Sequence, residues 1–134
     1  MLSQSERLEE TLKVLDELEE LSREMPVIVE GRRDVEALGL LGVKSNIITL
    51  SKGVSLFTFS ETISRDWPLV VLLTDWDRKG GQLARRLKEA FEANGTKVND
   101  SIRRKLVILA KKDIKDIESL PAFVRRLRAL AMHT

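Results

Sequence analysis

Leucines in the first 24 residues recur with the period of an α-helix. They are separated by four and three residues, with charged side chains between them: Leu8, Leu12, Leu15 and Leu18. This spacing places the leucines on one face and predicts an amphipathic helix over residues 4–24, capped by Ser3 or Ser5 and ended by Met25-Pro26. We expect the leucine face to pack on the rest of the chain. Contact with a protein partner, or with a second copy of the chain as a homodimer, is the alternative.

Short apolar runs alternate with helical patterns through the rest of the chain. The runs that predict β-strands are residues 27–29, 46–50, 69–73 and 106–109. The helical patterns cover residues 32–41, 54–64 and 83–93, and a last stretch interrupted near Pro121 that continues to Leu130. Strands that alternate with helices form parallel sheets through right-handed crossovers. The pattern therefore predicts an α/β fold, a Rossmann-like open sheet of about four parallel strands with helices on both faces. We expect residues 26–134 to form this domain and residues 1–25 to form a helix in front of it.

The amino-acid composition excludes several kinds of catalytic and metal-binding chemistry. The 134 residues contain no Cys and no Tyr, and the only His is His133. Disulfides, thiolate zinc sites and cysteine nucleophiles are therefore excluded. An imidazole base in the body of the chain and a tyrosyl intermediate formed by this chain alone are excluded as well. The chemistry that remains uses carboxylates, hydroxyls, basic side chains and a metal ion.

The formal net charge of +2 conceals a segregation of charge. Residues 1–24 carry eight acidic and three basic side chains, a net −5, whereas residues 25–134 carry 20 basic and 13 acidic side chains, a net +7. A basic body indicates a polyanionic partner such as RNA or DNA, with a well-solvated surface as the alternative. No apolar run reaches the ~18 residues of a membrane span, and the acidic start is unlike a signal peptide. We therefore expect a cytoplasmic protein with no membrane partner.

Acidic residues directly follow two of the predicted strands. Glu30 follows the first strand, and Asp75 and Asp77 follow the third. Ligands of open parallel sheets bind beyond the carboxyl ends of the strands, so these three carboxylates are expected to converge at one edge. Mg²⁺ prefers oxygen ligands, and clustered carboxylates raise one another's pKa unless a cation neutralises them. We therefore expect a Mg²⁺ site, which Mn²⁺ could also fill. Helix capping is the alternative, and for Asp34 it is an equal one.

The two acidic segments resemble the motifs of the Toprim domain. Val27-Ile28-Val29-Glu30-Gly31-Arg32-Arg33-Asp34 matches an apolar strand, a Glu-Gly pair and a later Asp. Leu72-Leu73-Thr74-Asp75-Trp76-Asp77-Arg78-Lys79-Gly80 matches the Asp-x-Asp signature with its trailing Gly. Between them, Thr49-Leu50-Ser51-Lys52-Gly53 is similar to the family's second strand and following glycine. The resemblance runs from about Pro26 to Leu109. It is strongest to the small stand-alone Toprim proteins of archaea and bacteria, relatives of Toprim domains in topoisomerases, DnaG-type primases, OLD-family nucleases and ribosomal-RNA-maturing ribonucleases.

The resemblance implies roles for particular residues. Glu30 would be the general acid or base, and Asp75 and Asp77 would hold Mg²⁺ against a phosphate. The residues expected to support them are Gly31, Asp34 and Gly80. The implied function is Mg²⁺-dependent phosphodiester chemistry on RNA or DNA, and we expect a nuclease. The absence of Tyr separates this chain from the topoisomerases, which act through a tyrosyl–DNA intermediate.

Basic residues follow the predicted strand ends, at the same edge as the acids. Phosphate contact by such residues would make nucleic-acid binding salt-dependent. Those expected to contact phosphates are Arg32, Arg33, Lys52, Arg78, Lys79, Lys111 and Lys112. For basic residues on helices, such as Arg85 and Arg86, solubility is an equal alternative.

Three other functions fit parts of the pattern. A non-catalytic nucleic-acid-binding or assembly module would keep the metal site and use the acidic helix of residues 4–24 to bind partners. A signalling receiver domain would use Asp75 as the phosphoacceptor and Lys111 or Lys112 as its cation, but the Glu-Gly pair and the Asp-x-Asp doublet fit this poorly. A phosphatase of the Asp-x-Asp-x-Thr type fits less well still, because position 79 is Lys.

Overall fold

Four parallel strands form the sheet at the centre of the fold. The computed structural model describes residues 1–132, so His133 and Thr134 lie outside the described residues. The strands lie in the order β2-β1-β3-β4, with β1 at Val27–Val29, β2 at Ile47–Thr49, β3 at Leu69–Leu72 and β4 at Lys97–Asn99. The predicted α/β class and the first three predicted strands are confirmed.

Helices cover both faces of the sheet. In residues 1–132 they are α1 (Gln4–Glu24), α2 (Arg32–Leu40), α3 (Leu56–Ser64), α4 (Arg78–Ala93), α5 (Ser101–Ala110) and α6 (Leu120–Ala131). Successive side chains of a strand point to opposite faces, which divides the core in two. Val27 and Val71 pack in the cluster that includes α1, α2, α5 and α6. Ile28 and Val70 pack with α3 and α4. The prediction of helices on both faces is therefore confirmed.

The strand order reverses direction between β1 and β3. After β1 the chain adds β2 on one side, and it then crosses over to add β3 and β4 on the other. In an open parallel sheet, such a switch point leaves a ligand-binding crevice beyond the carboxyl ends of the two strands. Ile28 is in register with Leu72, and continuing that register places Glu30 level with Thr74, one residue before Asp75. The topology therefore places the two acidic segments on either side of this crevice.

The fourth strand is Lys97–Asn99, so the prediction of a strand at residues 106–109 is wrong. Residues 106–109 lie inside α5, where Ile108 is 75% exposed. The buried positions of α5 recur every four residues, at Ile102, Leu106 and Ala110. A short apolar run can belong to a strand or to one face of a helix, and the surrounding period decides between the two. Strand β4 escaped prediction because Val98 is its only apolar residue.

Helix α1 has the bounds that its leucines predict. Ser3 caps it, because the Ser3 hydroxyl accepts a 3.1 Å hydrogen bond from the Glu6 N–H and the Glu6 carboxylate accepts one of 3.0 Å from the Ser3 N–H. Leu15 and Leu18 are buried, and α1 packs against α5 and α6. The leucine face therefore packs on the rest of the chain. Within residues 1–132, no helix is both long enough and apolar enough to cross a membrane.

Candidate metal and phosphate site

Glu30 connects the two acidic segments across the crevice. Its Oε2 accepts a 2.8 Å hydrogen bond from the backbone N–H of Asp75. This bond joins the loop after β1 to the loop after β3, as the strand register leads one to expect. Among the described residues, no hydrogen bond engages the other carboxylate oxygen of Glu30, Oε1.

The loop that carries Asp75 is held by the segment that precedes α6. Oδ1 of Asp75 accepts a 3.0 Å hydrogen bond from the backbone N–H of Ile117. Trp76 bonds to the same segment twice. Its backbone N–H donates to the Lys115 carbonyl at 2.9 Å, and its indole N–H donates to the Ile114 carbonyl at 2.8 Å. This segment therefore forms one wall of the site and holds both residues in place.

Asp77 caps α4, and the cap requires a glycine three residues later. Oδ1 of Asp77 accepts a 2.6 Å hydrogen bond from the Gly80 N–H, and the Gly80 carbonyl accepts one of 2.9 Å from the Thr74 hydroxyl. A Cβ atom on Gly80 would overlap the carbonyl oxygen of Asp75. The trailing glycine of the second motif is therefore required by the close approach of the chain to itself.

The first loop is open by comparison. A Cβ atom on Gly31 would meet nothing within 4 Å, and its backbone is extended, with φ −156°. Asp34 is only 7% exposed, and its carboxylate accepts a 3.1 Å hydrogen bond from the Gly31 N–H. The sequence left open whether Asp34 caps a helix or supports the metal site. In the structure it makes the helix-capping contact at the start of α2.

Arg103, in the first turn of α5, binds the segment that follows β3. Its Nε–H donates to the Thr74 carbonyl at 3.0 Å, and its Nη2–H donates to the Asp75 carbonyl at 2.8 Å. Burial lowers the pKa of Arg103, while the nearby acids, Asp100 first, act in the opposite direction. Guanidinium donors of this kind make strong, directional hydrogen bonds. Arg103 therefore fixes the backbone from which the Asp75 side chain projects.

Two carboxyl groups at the site have a raised pKa. The pKa of Asp75 is raised to about 6, chiefly by burial, and the charges that add to the shift belong to Glu30, Asp116 and Asp77. The pKa of Asp34 is also raised to about 6, by burial first and then by the charge of Asp75. Burial and the neighbouring acidic side chains thus both disfavour the charged form of Asp75.

Arg103 and Asp116 belong to the surroundings of Asp75, although no sequence motif singles them out. With α5 recognised as a helix, its period distinguishes Arg103, which borders the buried face, from Arg104, which lies opposite that face. Asp116 lies in the segment that bonds to Asp75 and Trp76, and its Oδ1 accepts a 2.8 Å hydrogen bond from Ser119. Nothing in its local pattern points toward the crevice.

The carboxylate oxygens and the negative charge at this edge of the sheet fit a divalent cation. Glu30, Asp75 and Asp77 each use one carboxylate oxygen to accept from a backbone N–H, which leaves the second oxygen for a ligand. Mg²⁺ prefers such oxygen ligands, and a cation would offset the repulsion from neighbouring acids, which adds to the rise that burial causes in the pKa of Asp75. Across residues 1–132, no three acidic or imidazole side chains are already gathered in positions that would hold a metal ion. The three carboxylates thus share one edge and one charge environment, without forming a preassembled three-ligand cluster.

Several predicted phosphate-contacting residues lie beside the crevice. A hollow of about 460 Å³ lies between the loops after β1 and β2 and is lined by residues 30–32 and 49–52, so Arg32 and Lys52 share it with Glu30. Arg33 is exposed, and its Nη1 lies 3.6 Å from Oε1 of Glu118. Arg78 and Lys79 are exposed in the first turn of α4, directly after Asp77.

Lys111 and Lys112 do not follow a strand, which corrects the sequence prediction. They follow α5, because residues 106–109 are helical. Lys112 lines a hollow formed with the start of α1, including Met1 and Leu2, rather than the hollow that Glu30 lines. The receiver-domain alternative thereby loses the strand-end lysine on which it depended.

The fold, the switch-point crevice and the two acidic loops define the class of this protein. Residues 26–109 match the family model of the Toprim domain, a span that includes all four strands and both loops. The chain therefore belongs to the Toprim domain family. Toprim domains generally bind Mg²⁺ through acidic residues, and membership indicates a metal-dependent function related to nucleic acids.

Within this family, the chain is similar to small archaeal proteins. It is 47% identical to a UPF0292 protein of Methanosarcina barkeri over 123 residues, which cover 91% of this chain and 85% of that protein. It is 39% identical to a UPF0292 protein of Methanocaldococcus jannaschii over 125 residues, which cover 93% of this chain and 98% of that protein. A solved structure of a protein from Aquifex aeolicus superimposes with a TM-score of 0.69 at 30% identity, covering 80% of this chain and 94% of that one.

Proposed function

We propose that the chain is a Mg²⁺-dependent nuclease that cleaves phosphodiester bonds of RNA or DNA. The observation that carries this proposal is the contact across the switch point, where Glu30 bonds to the Asp75 backbone and keeps Oε1 available. Asp75 and Asp77 would hold the metal through their second oxygens. Mn²⁺ could replace Mg²⁺, since it also accepts oxygen ligands.

The residues divide the chemistry among themselves. Bound Mg²⁺ would supply charge neutralisation at the phosphate and at the leaving oxygen. Oε1 of Glu30 would accept a proton from the attacking water or return one to the leaving group, which requires only that the carboxylate lie within hydrogen-bond reach. Arg32 and Lys52, in the hollow beside Glu30, would bind phosphates flanking the scissile bond. No residue of the chain needs to form a covalent intermediate.

A nuclease panel tests this proposal. Purified wild type, Glu30→Gln and Asp75→Asn are incubated with single- and double-stranded RNA and DNA in Mg²⁺ or Mn²⁺, and cleavage is followed on gels. We expect both variants to lose at least about 100-fold in rate, because each removes a group that acts on the reacting atoms. Asp66→Asn, which removes an exposed carboxylate in the turn before β3, is the control and should cleave like wild type. Cleavage by Glu30→Gln at the wild-type rate would refute the proposal.

A second candidate is a non-catalytic nucleic-acid-binding or assembly module. A hollow of about 400 Å³ at the start of α1 favours it, because Met1, Leu2 and Ile108 leave exposed apolar surface there. Such surface is typical of protein contacts. This candidate predicts salt-sensitive binding with no turnover of any nucleic acid in either metal, and Glu30-dependent cleavage would exclude it.

A further inference from the structure

The exposed side of α4 carries basic side chains that form no ion pair with an acid of residues 1–132. Arg78 and Lys79 lie in its first turn, and Arg85 and Arg86 follow seven residues later. All four are exposed. In the part of the chain that the structure describes, none of the four has a carboxylate oxygen within 4 Å of its charged nitrogens. We refer to these four residues as the α4 basic stripe.

Basic residues on α1 and α2 are arranged differently, because every one of them has an acidic partner. The pairs are Arg7 with Asp113, Lys13 with Glu9 and Glu10, Arg23 with Glu19, Arg32 with Glu36, and Arg33 with Glu118. These acidic partners offset part of the positive charge on α1 and α2. Among the basic residues of α4, Lys88 alone lies within 4.0 Å of an acid of residues 1–132, with its Nζ 4.0 Å from Oδ2 of Asp100. The stripe therefore leaves a positive potential that a polyanion would complement.

The first two members of the stripe stand where the helix itself disfavours cations. Arg78 and Lys79 directly follow Asp77, the N-cap of α4. The N-terminal turn is the positive end of the helix dipole and stabilises anions rather than cations. The stability of α4 therefore does not account for these two residues, whereas a phosphate would be favoured by their charges.

The spacing of the stripe suits a nucleic-acid backbone. Residues seven apart lie on the same side of a helix, about 10.5 Å from one another along its axis. That distance spans about three phosphates of one strand of a duplex, which repeat every 3.4 Å along the duplex axis. Asp77, which caps α4, is also one of the candidate metal ligands.

We propose that the α4 basic stripe is the surface along which a nucleic-acid backbone docks, and that it leads the phosphates to the acidic loops. This inference rests on the proposed function, because it names the surface that would hold the substrate of that site. The stripe reads no bases, so the docking is independent of sequence.

The test measures the salt dependence of binding without metal. Fluorescence anisotropy is recorded in EDTA with labelled duplex RNA and duplex DNA, between about 50 and 200 mM NaCl. Log K decreases as log salt increases. For Arg85→Gln/Arg86→Gln we expect the magnitude of this negative slope to fall by about two units, one for each lost phosphate contact. The control is Lys44→Gln/Lys97→Gln, which removes the same charge from exposed lysines near the amino ends of β2 and β4, at the opposite edge of the sheet. Thermal melts establish that both variants are folded.

Each outcome decides for or against the stripe. A fall of about two units in the stripe variant, with a smaller change in the control, supports it. An equal fall in both variants, an unchanged slope in the stripe variant, or no binding by wild type would overturn it. The proposed nuclease function fails separately: the stripe stands if the slope falls as expected while Mg²⁺ supports no cleavage. Conversely, Glu30-dependent cleavage with an unchanged slope refutes only the stripe.

Discussion

The loop after β1, residues 30–34, and the loop after β3, residues 74–80, flank the same crevice but are stabilised in different ways. The first loop is held mainly by its own residues, because Asp34 caps α2 by accepting from the Gly31 N–H. A side chain on Gly31 would meet no atom within 4 Å, so the loop is open toward solvent. Its long-range polar contacts are the Glu30 carboxylate, which reaches the other loop, and the ion pair of exposed Arg33 with Glu118.

The second loop is closed by contacts with distant parts of the chain. Arg103 donates to two of its carbonyls, and the segment before α6 bonds to Asp75 and Trp76. Gly80 has no room for a side chain. The loop that carries the two Asp residues is therefore held by several distant segments, whereas the loop after β1 lies open beside the hollow that Arg32 and Lys52 line.

The largest expected effect comes from the glycines of the two loops. Gly80→Ala should lower the free energy of unfolding by about 3 kcal/mol or more, because its Cβ atom would overlap the Asp75 carbonyl and the backbone would have to move. Gly31→Ala should cost less than about 1 kcal/mol, the difference between glycine and alanine at a helix N-cap. Urea denaturation followed by circular dichroism measures both.

Gly81→Ala is the matched control for Gly80→Ala. Its Cβ atom would meet only the Arg103 side chain, at 4.0 Å, and alanine is favoured over glycine inside a helix. It should therefore be neutral or slightly stabilising. Equal losses for Gly80→Ala and Gly31→Ala would contradict the contrast between a closed and an open loop.

A smaller loss of stability is expected from Arg103. Arg103→Gln removes two hydrogen bonds from the carbonyls of Thr74 and Asp75 and should cost about 2 kcal/mol in unfolding free energy, since hydrogen bonds to charged groups contribute about 1.5–3 kcal/mol. Arg104→Gln, the neighbouring exposed residue paired with Asp100, should cost no more than about 0.5 kcal/mol. Indistinguishable urea midpoints for the two variants would show that Arg103 does not hold the second loop.

The smallest expected effect is a pH dependence due to Asp75. Its pKa in the folded state is raised to about 6, chiefly by burial, so between about pH 4 and 6 the folded protein keeps a proton that the unfolded chain releases. The stability from this group is therefore fully present below about pH 4 and is lost as the pH rises through about 6. Asp75→Asn removes that loss. In EDTA, its stability relative to wild type should rise by about 1 kcal/mol from pH 4.5 to 7.5, a value reduced for solvent screening at this partly exposed site.

Asp66→Asn provides the comparison for the pH experiment, because its carboxylate is exposed and lies outside the crevice. Its stability relative to wild type should be the same at both pH values. If the stability of Asp75→Asn relative to wild type is also the same at both pH values, then burial and the acidic neighbours do not raise the pKa of Asp75.

Much of the fold followed from local patterns in the sequence. The leucine period of α1 and the apolar runs of β1 and β3 were all interpretable from short stretches, and the structure has these elements in those places. The fourth strand could not be predicted in this way. Strand β4 is a short edge strand with one apolar residue, whereas α5 contains a run of four apolar residues that resembles a strand. Because residues 106–109 were predicted to be a strand, Lys111 and Lys112 were wrongly expected at the strand-end edge of the sheet, whereas they follow α5.

Residue types at strand ends were sufficient to single out Glu30, Asp75 and Asp77, since the carboxyl ends of parallel strands share one edge whatever the details of packing. Three further features required the tertiary structure: the bond from the Asp75 backbone to Glu30, the reach of Arg103 to the end of β3, and the wall formed by residues 114–117. These contacts join residues far apart in the chain, and most of them involve backbone groups, which every residue carries and no sequence pattern distinguishes. The chain's own residue order thus decides which acids are present and at which edge, whereas only the folded packing decides how each carboxylate is held and which of its oxygens stays available.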